Sequence, residues 1–179
     1  MHKEEVVLAM EYVFRKATIA DFNDIMTIIE DAKKQMLQEG KEQWNDAYPN
    51  REHIEADIKE TYAYVLQHNG KLLTYGAVMF TEEPAYNHIH DGQWLSSLPY
   101  VVLHRFAVSK QARGQGIGAL FMQNVEQLSR DKNIYSFKAD TNYDNERMLH
   151  MFDKMGFTYC GKISYPQGER MAFEKLLNK

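Results

Sequence analysis

The chain has 179 residues, 44% of them hydrophobic and 26% charged, which suits one compact domain better than two, because a chain of this length already buries most of its unfolded surface in one core. A formal net charge of -4 gives no long-range pull toward nucleic acid or anionic lipid, and no apolar stretch approaches the ~20 residues that a bilayer span requires. The lone cysteine, Cys160, cannot form an internal disulfide, so the expected compartment is the cytoplasm.

Residues 1–11 read as a lead-in to a single domain over 12–179. They lack the basic start and small-residue cleavage site of a signal peptide, and Met10 is an alternative start. Tyr12 to Ala17 predicts a first strand. Thr18 with Asp21 resembles a capping box, and Phe22, Ile25, Ile28, Ile29, Ala32 and Met36 recur at helical spacing until Gly40 ends the run. Trp44 to Pro49 is an aromatic loop, after which Asn50 caps a second helix turning Ile54, Ile58 and Tyr62 inward. Strands Ala63 to His68 and Leu72 to Phe80 flank Asn69-Gly70, a pair suited to the positive φ angles of a tight hairpin.

Glu82 to Pro99 reads as irregular, and Tyr100 to Val108 as a central strand whose apolar run is interrupted by His104 and Arg105. A glycine-rich turn leads into a helix marked by Ile117, Leu120, Phe121, Val125 and Leu128, followed by a strand over Ile134 to Ala139. A helix from Asn145 to Met155, stopped by Gly156, and strands Thr158 to Ile163 and Arg170 to Leu176 complete the chain. The order predicts an α/β fold with a mixed sheet, antiparallel early and with a parallel crossover in the middle.

The segment Gln111-Ala112-Arg113-Gly114-Gln115-Gly116-Ile117-Gly118-Ala119 stands between the strongest strand and a well-patterned helix. Glycines let the backbone approach a ligand, and a helix start presents unpaired N–H groups with partial positive charge, so the turn suits a pyrophosphate; Arg113 adds a guanidinium fork. A P-loop is excluded because no Lys-Ser or Lys-Thr follows these glycines, and a dinucleotide fingerprint because Phe121 stands where its third glycine belongs.

Arg113, Gly116 and Gly118 match the Arg/Gln-x-x-Gly-x-Gly/Ala signature, and Asn145 through Lys154-Met155-Gly156-Phe157 match the closing motif, so the chain resembles the GNAT superfamily of N-acetyltransferases from about Tyr12 to Leu177. The resemblance implies a mostly antiparallel sheet splayed between two parallel strands and flanked by about four helices. It implies acetyl-CoA as cosubstrate, with pantetheine contacts on Phe106, Ala107 and Val108, pyrophosphate contacts on Arg113, Gly114, Gln115, Gly116, Ile117, Gly118 and Ala119, and further contacts at Asn145 and Phe152. The acceptor it implies is the amine of a small molecule or peptide, attacked directly, with neither nucleic acid nor membrane as partner. Such relatives are often dimers, which makes a homodimer the expected assembly.

Phe152 stands where that family often places a tyrosine general acid, so the thiolate must leave unassisted, take a proton from water, or use Tyr143 or Tyr165; a CoA-binding sensor with weak catalysis is the alternative reading. His104 is the candidate base, sharing a strand face with Val102 and Phe106 by alternation, against the alternative of a packed histidine. Glu82 and Glu83 are weaker candidates. Trp44 and Tyr48 form either an aromatic acceptor wall or helix-loop packing. Cys160 reads as a small core hydrophobe rather than a nucleophile, and His88 with His90 lack the further ligand a metal site needs, so no metal is expected.

Overall fold

The computed structural model describes residues 11–179, so the expected lead-in lies, up to residue 10, outside the described residues. In chain order the elements are β1 (Tyr12–Lys16), α1 (Phe22–Gln38), α2 (Arg51–Lys59), β2 (Ala63–His68), β3 (Lys71–Met79), β4 (Val101–Val108), α3 (Ile117–Asp131), β5 (Ser136–Thr141), α4 (Glu146–Lys154), β6 (Thr158–Tyr165) and β7 (Gly168–Leu176). The strands form a seven-stranded mixed sheet in the order β1-β2-β3-β4-β5-β7-β6. Pairs β1–β2, β2–β3, β5–β7 and β6–β7 are antiparallel, and β4–β5 is parallel. This is the α/β fold that the pattern predicts. No described helix is long and apolar enough to cross a membrane.

The chain falls into two compact units, neither contiguous in sequence. The first runs to Ala77 and adds Arg105–Met122; the second is Val78–His104 with Gln123–Lys179. In the first, the apolar stripe of α1 (Phe22, Ile25, Ile28, Ile29) packs with Trp44, Ile54, Val65, Tyr75 and Ala107 in one buried cluster. The hairpin turn takes φ of 50° at Asn69 and 75° at Gly70, the pair of positive angles that this dipeptide tolerates. Asn50 caps α2 by accepting the His53 N–H at 3.1 Å, and Lys33, buried on α1, ties down the aromatic loop by donating to the Pro49 carbonyl at 2.8 Å.

Two expectations shift here. Tyr62 lies beyond the end of α2, because Thr61 takes a left-handed φ of 64° and ends the helix; the polar Asp57 occupies a buried position on that helix instead. The strand expected over Ile134 to Ala139 is Ser136–Thr141, since Asn133, at φ 58°, prolongs the turn that leaves α3.

In the second unit Tyr86, Val102, Ile163 and Ala172 form one buried cluster. The segment read as irregular contains a 3-10 turn at Pro84–His88 and an isolated antiparallel bridge between His90 and Lys162. The close approach there explains Gly92, where an added Cβ would stand 2.0 Å from the Cys160 carbonyl oxygen.

Candidate active site

In the first unit, β4 ends at Val108 and the chain turns through Arg113–Gly116 into α3. Gly114 and Gly116 hold left-handed φ angles of 76° and 74°, and a Cβ at either would meet nothing within 4 Å. Glycine is needed there for its backbone, then, and the space beside it is open to a ligand. Ile117, Gly118 and Ala119 form the first turn of α3, where helix N–H groups lack acceptors within the helix. Arg113 reaches back to the Gln35 side-chain oxygen and, at 3.4 Å, to the Val108 carbonyl. Two turn glycines and a helix N-terminus in one unit are groups that could hold a pyrophosphate.

The same unit holds a buried network that the sequence did not announce. Arg105 donates from Nε and Nη2 to the two carboxylate oxygens of Asp57, each at 2.7 Å, and from Nη1 to the Tyr48 hydroxyl at 3.0 Å. The Tyr75 hydroxyl also donates to Asp57. Burial is the largest single influence and opposes the Arg105 charge, yet the Asp57 hydrogen bonds together with the electrostatic pull of Tyr48, Asp57 and Tyr75 outweigh it and raise the guanidinium's pKa. Burial, then the Asp57 charge, holds the Tyr75 hydroxyl well above the ordinary phenol range. Arg105 itself has a left-handed φ of 52° in the middle of a strand.

The kink at Arg105 falls between His104 and Phe106, which alternation assigns to one strand face. Phe106 packs on Phe121 with ring centroids 5.2 Å apart, whereas His104 places Nε2 2.9 Å from a Glu83 carboxylate oxygen and its ring 6.3 Å from Tyr86. Ala107 is in the core cluster of the first unit. The parallel ladder stops before the kink as well: only Val101 and Val102 are in register with Phe137 and Lys138 among the described residues. Trp44 is 7% exposed within the helix core, following the packing alternative, while Tyr48 presents its hydroxyl to Arg105 and its ring edge-on to His53.

The second unit carries His104 and its carboxylate. A carboxylate only accepts, so Nε2 of a neutral His104 carries the proton shared with Glu83, and Nδ1 holds the lone pair. Nearby chemistry includes Asp140, which accepts from the Tyr86 hydroxyl at 2.7 Å and the Tyr165 hydroxyl at 2.9 Å. Burial, then the Asp140 charge, drives the Tyr86 hydroxyl well above its ordinary range. Of the substitutes for the missing tyrosine acid, Tyr143 is 75% exposed and Tyr165 is tied to Asp140.

Asn145 is the N-cap of α4, accepting the Met148 N–H at 3.3 Å and donating to the Thr141 hydroxyl at 3.1 Å. Phe152 is 0% exposed, enclosed by Phe157 and Phe173, so its ring fills the core and has no surface left for a ligand. Cys160 is buried, and burial followed by the Glu174 charge raises its thiol pKa, which is the opposite of an activated nucleophile. His90 is paired with Glu169 at 3.2 Å. Arg105, Asp57, Tyr75, Tyr86 and Asp140 are the polar side chains that sequence reasoning missed or left without a role. Only Arg105 carried a signal, as a charge inside an apolar strand.

The model of the acetyltransferase (GNAT) family matches residues 23–157. Among solved structures, the chain is similar to a GNAT-family acetyltransferase from Streptococcus agalactiae 2603, with 36% identity, a TM-score of 0.86 and coverage of 94% of this chain and 96% of that one. A GNAT-family acetyltransferase from Listeria monocytogenes 4b F2365, 20% identical, shares the fold with a TM-score of 0.74 over 94% of this chain and 96% of that one. A protein of Pseudomonas phage PaMx11 named 5-NmdU N-acetyltransferase is 27% identical over 99 residues, 48% of this chain and 69% of that protein.

Proposed function

The chain belongs to the acetyltransferase (GNAT) family, and we propose that it moves an acetyl group from acetyl-CoA onto the primary amine of a small molecule or peptide by direct attack. The observation that carries this reading is the open glycine cradle at the start of α3, with Gly114 and Gly116 both in left-handed conformations. Arg113 through Ala119 would hold the pyrophosphate, the backbone of Phe106, Ala107 and Val108 the pantetheine arm, and Asn145 a further contact. When bound, acetyl-CoA supplies a thioester whose thiolate, with a thiol pKa of about 8.5, departs without a strong acid. That suits a chain with Phe152 where relatives carry a tyrosine.

His104 is the base in this reading. Glu83 fixes the tautomer through Nε2 and leaves the Nδ1 lone pair to take the amine proton. Cys160 forms no covalent intermediate, its thiol being buried and raised in pKa. The same reading takes 12–179 as one acetyltransferase domain, cytoplasmic and homodimeric, with a family match that draws on segments of both units.

The test is calorimetric titration with acetyl-CoA, comparing wild type with Gly116→Asp, followed by an amine screen. Micromolar binding abolished by the aspartate, which obstructs and repels the pyrophosphate, is expected. His104→Ala should then lower kcat/KM by about 10²-fold or more while leaving acetyl-CoA affinity unchanged. Wild-type protein that binds no acetyl-CoA overturns the assignment.

A further inference from the structure

Arg105 presents a contradiction that its neighbours resolve. An arginine in the left-handed region is disfavoured by contact between Cβ and its own backbone, and nothing in an apolar strand compensates locally. Such a residue persists only where surrounding structure over-determines it. Here three elements of one unit do so. Asp57 of α2 takes both ends of the guanidinium fork at 2.7 Å, Tyr48 of the aromatic loop accepts from the remaining nitrogen at 3.0 Å, and Tyr75 of β3 closes the ring by donating to Asp57. The pair is well buried, with side-chain exposures of 13% for Arg105 and 5% for Asp57. Its removal from water strengthens the electrostatic grip and makes a bidentate fork specific for one position of the β4 backbone.

The position held is the residue directly before Phe106, Ala107 and Val108. We propose that Arg105, clamped by Asp57 and Tyr48, is a positioning residue that keeps β4 in its left-handed kink and thereby presets the backbone of residues 106–108 for acetyl-CoA. This rests on the acetyltransferase reading above and adds a residue pair to it. The clamp acts through backbone conformation. It also ties Tyr48, in the loop between α1 and α2, to the same strand.

The test separates the conformation from the charges. On an Asp57→Asn background, which avoids a stranded buried carboxylate, Arg105→Gly and Arg105→Ala lose the same guanidinium and differ in their tolerance of φ near 52°. Glycine takes that angle without strain, whereas alanine must be driven into it when the ligand binds. Calorimetric titration with acetyl-CoA should find the glycine double variant within about threefold of wild type and the alanine double variant about tenfold weaker, the population cost of a disfavoured backbone state. Arg105→Lys keeps a cation against Asp57 without the fork, and is expected to bind several-fold more weakly than wild type; it serves if either double variant fails to fold.

Glycine and alanine variants with equal affinity, or a lysine variant that binds as wild type does, overturn the clamp while leaving the acetyltransferase reading intact. Loss of binding by wild type overturns both. A residue that only stabilised the fold would lower the melting temperature in both double variants and leave the affinity of the folded protein unchanged.

Discussion

Asp57 and Glu174 are shut away from water to nearly the same degree, at 3% and 0% exposure, and they differ in what donates their hydrogen bonds. Asp57, in the first unit, meets a full positive charge in the Arg105 fork and one tyrosine hydroxyl. Glu174, in the second, takes its hydrogen bonds from neutral donors, the Leu95 N–H at 2.6 Å, the Ser96 hydroxyl at 2.6 Å and the Ser136 hydroxyl at 2.7 Å, while buried Lys138, its cross-strand partner on β5, adds a positive charge at longer range. An ion pair fixes two side chains against each other, so losing either partner strands the other. A carboxylate held by dipoles pins a loop to a strand, and its donors can turn toward a substitute. The first arrangement braces a strained backbone residue in β4; the second fastens the segment around Leu95 and Ser96 to β5 and β7.

The largest effect expected of that difference is at Asp57. Asp57→Ala leaves the Arg105 guanidinium buried and unpaired, and should cost about 3–5 kcal/mol in chemical denaturation. Removing both charges together, as Asp57→Asn with Arg105→Met, should recover more than half of that loss. If the double variant is as unstable as the single, the ion pair stabilises in its own right and the contrast with Glu174 loses its basis.

Local rules and tertiary pairings divided what was legible in the sequence. The hairpin at Asn69-Gly70, the cap at Asn50, the helix beginning about Asn145 and the glycine turn before α3 were readable because each rests on the conformational needs of a few adjacent residues. The apolar stripe of α1 was readable from its period. Asp57 was not, since one acid on a short polar helix looks solvated until a strand 48 residues further on supplies its partner. Arg105 broke the strand pattern visibly, but its left-handed φ left no trace, because positive angles announce themselves only through glycine or asparagine. Glu83 and His104 were both singled out as ionisable candidates; their pairing across 21 residues was a product of the fold. Phe152 shows the converse: a motif position marked it as a cofactor contact, and burial places its ring in the core.

A middle-sized effect belongs to Glu174. Glu174→Gln keeps an oxygen for the Leu95 N–H, and the Ser96 and Ser136 hydroxyls can rotate to accept from the new amide, so the loss should be about 1–2 kcal/mol. Amide exchange at Leu95 should accelerate along with it, reporting local release of the segment. A loss as large as that of Asp57→Ala would mean that neutral donors grip this carboxylate as tightly as a guanidinium grips the other.

The smallest effect comes from the same fork placed near water. Arg15 holds Asp21 with contacts of 2.8 and 2.9 Å, close to the lengths at Asp57, but the arginine side chain is 33% exposed. The Arg15 hydrogen bonds, aided by the Thr18 N–H, lower the Asp21 pKa below its ordinary value. A carboxylate whose folded pKa is depressed contributes stability above its unfolded pKa, near 3.9, and loses it as pH falls through the folded value. Solvent screening limits the contribution to less than about 1 kcal/mol. Asp21→Asn should therefore destabilise the protein slightly at pH 7 and not at all near pH 2, with the difference from wild type closing below about pH 4 in urea titrations. A difference that persists undiminished at pH 2 would assign the effect to the Thr18 cap instead of to the charge, and would leave burial as the sole reason that Asp57 and Asp21, given the same partner chemistry, carry such different weights.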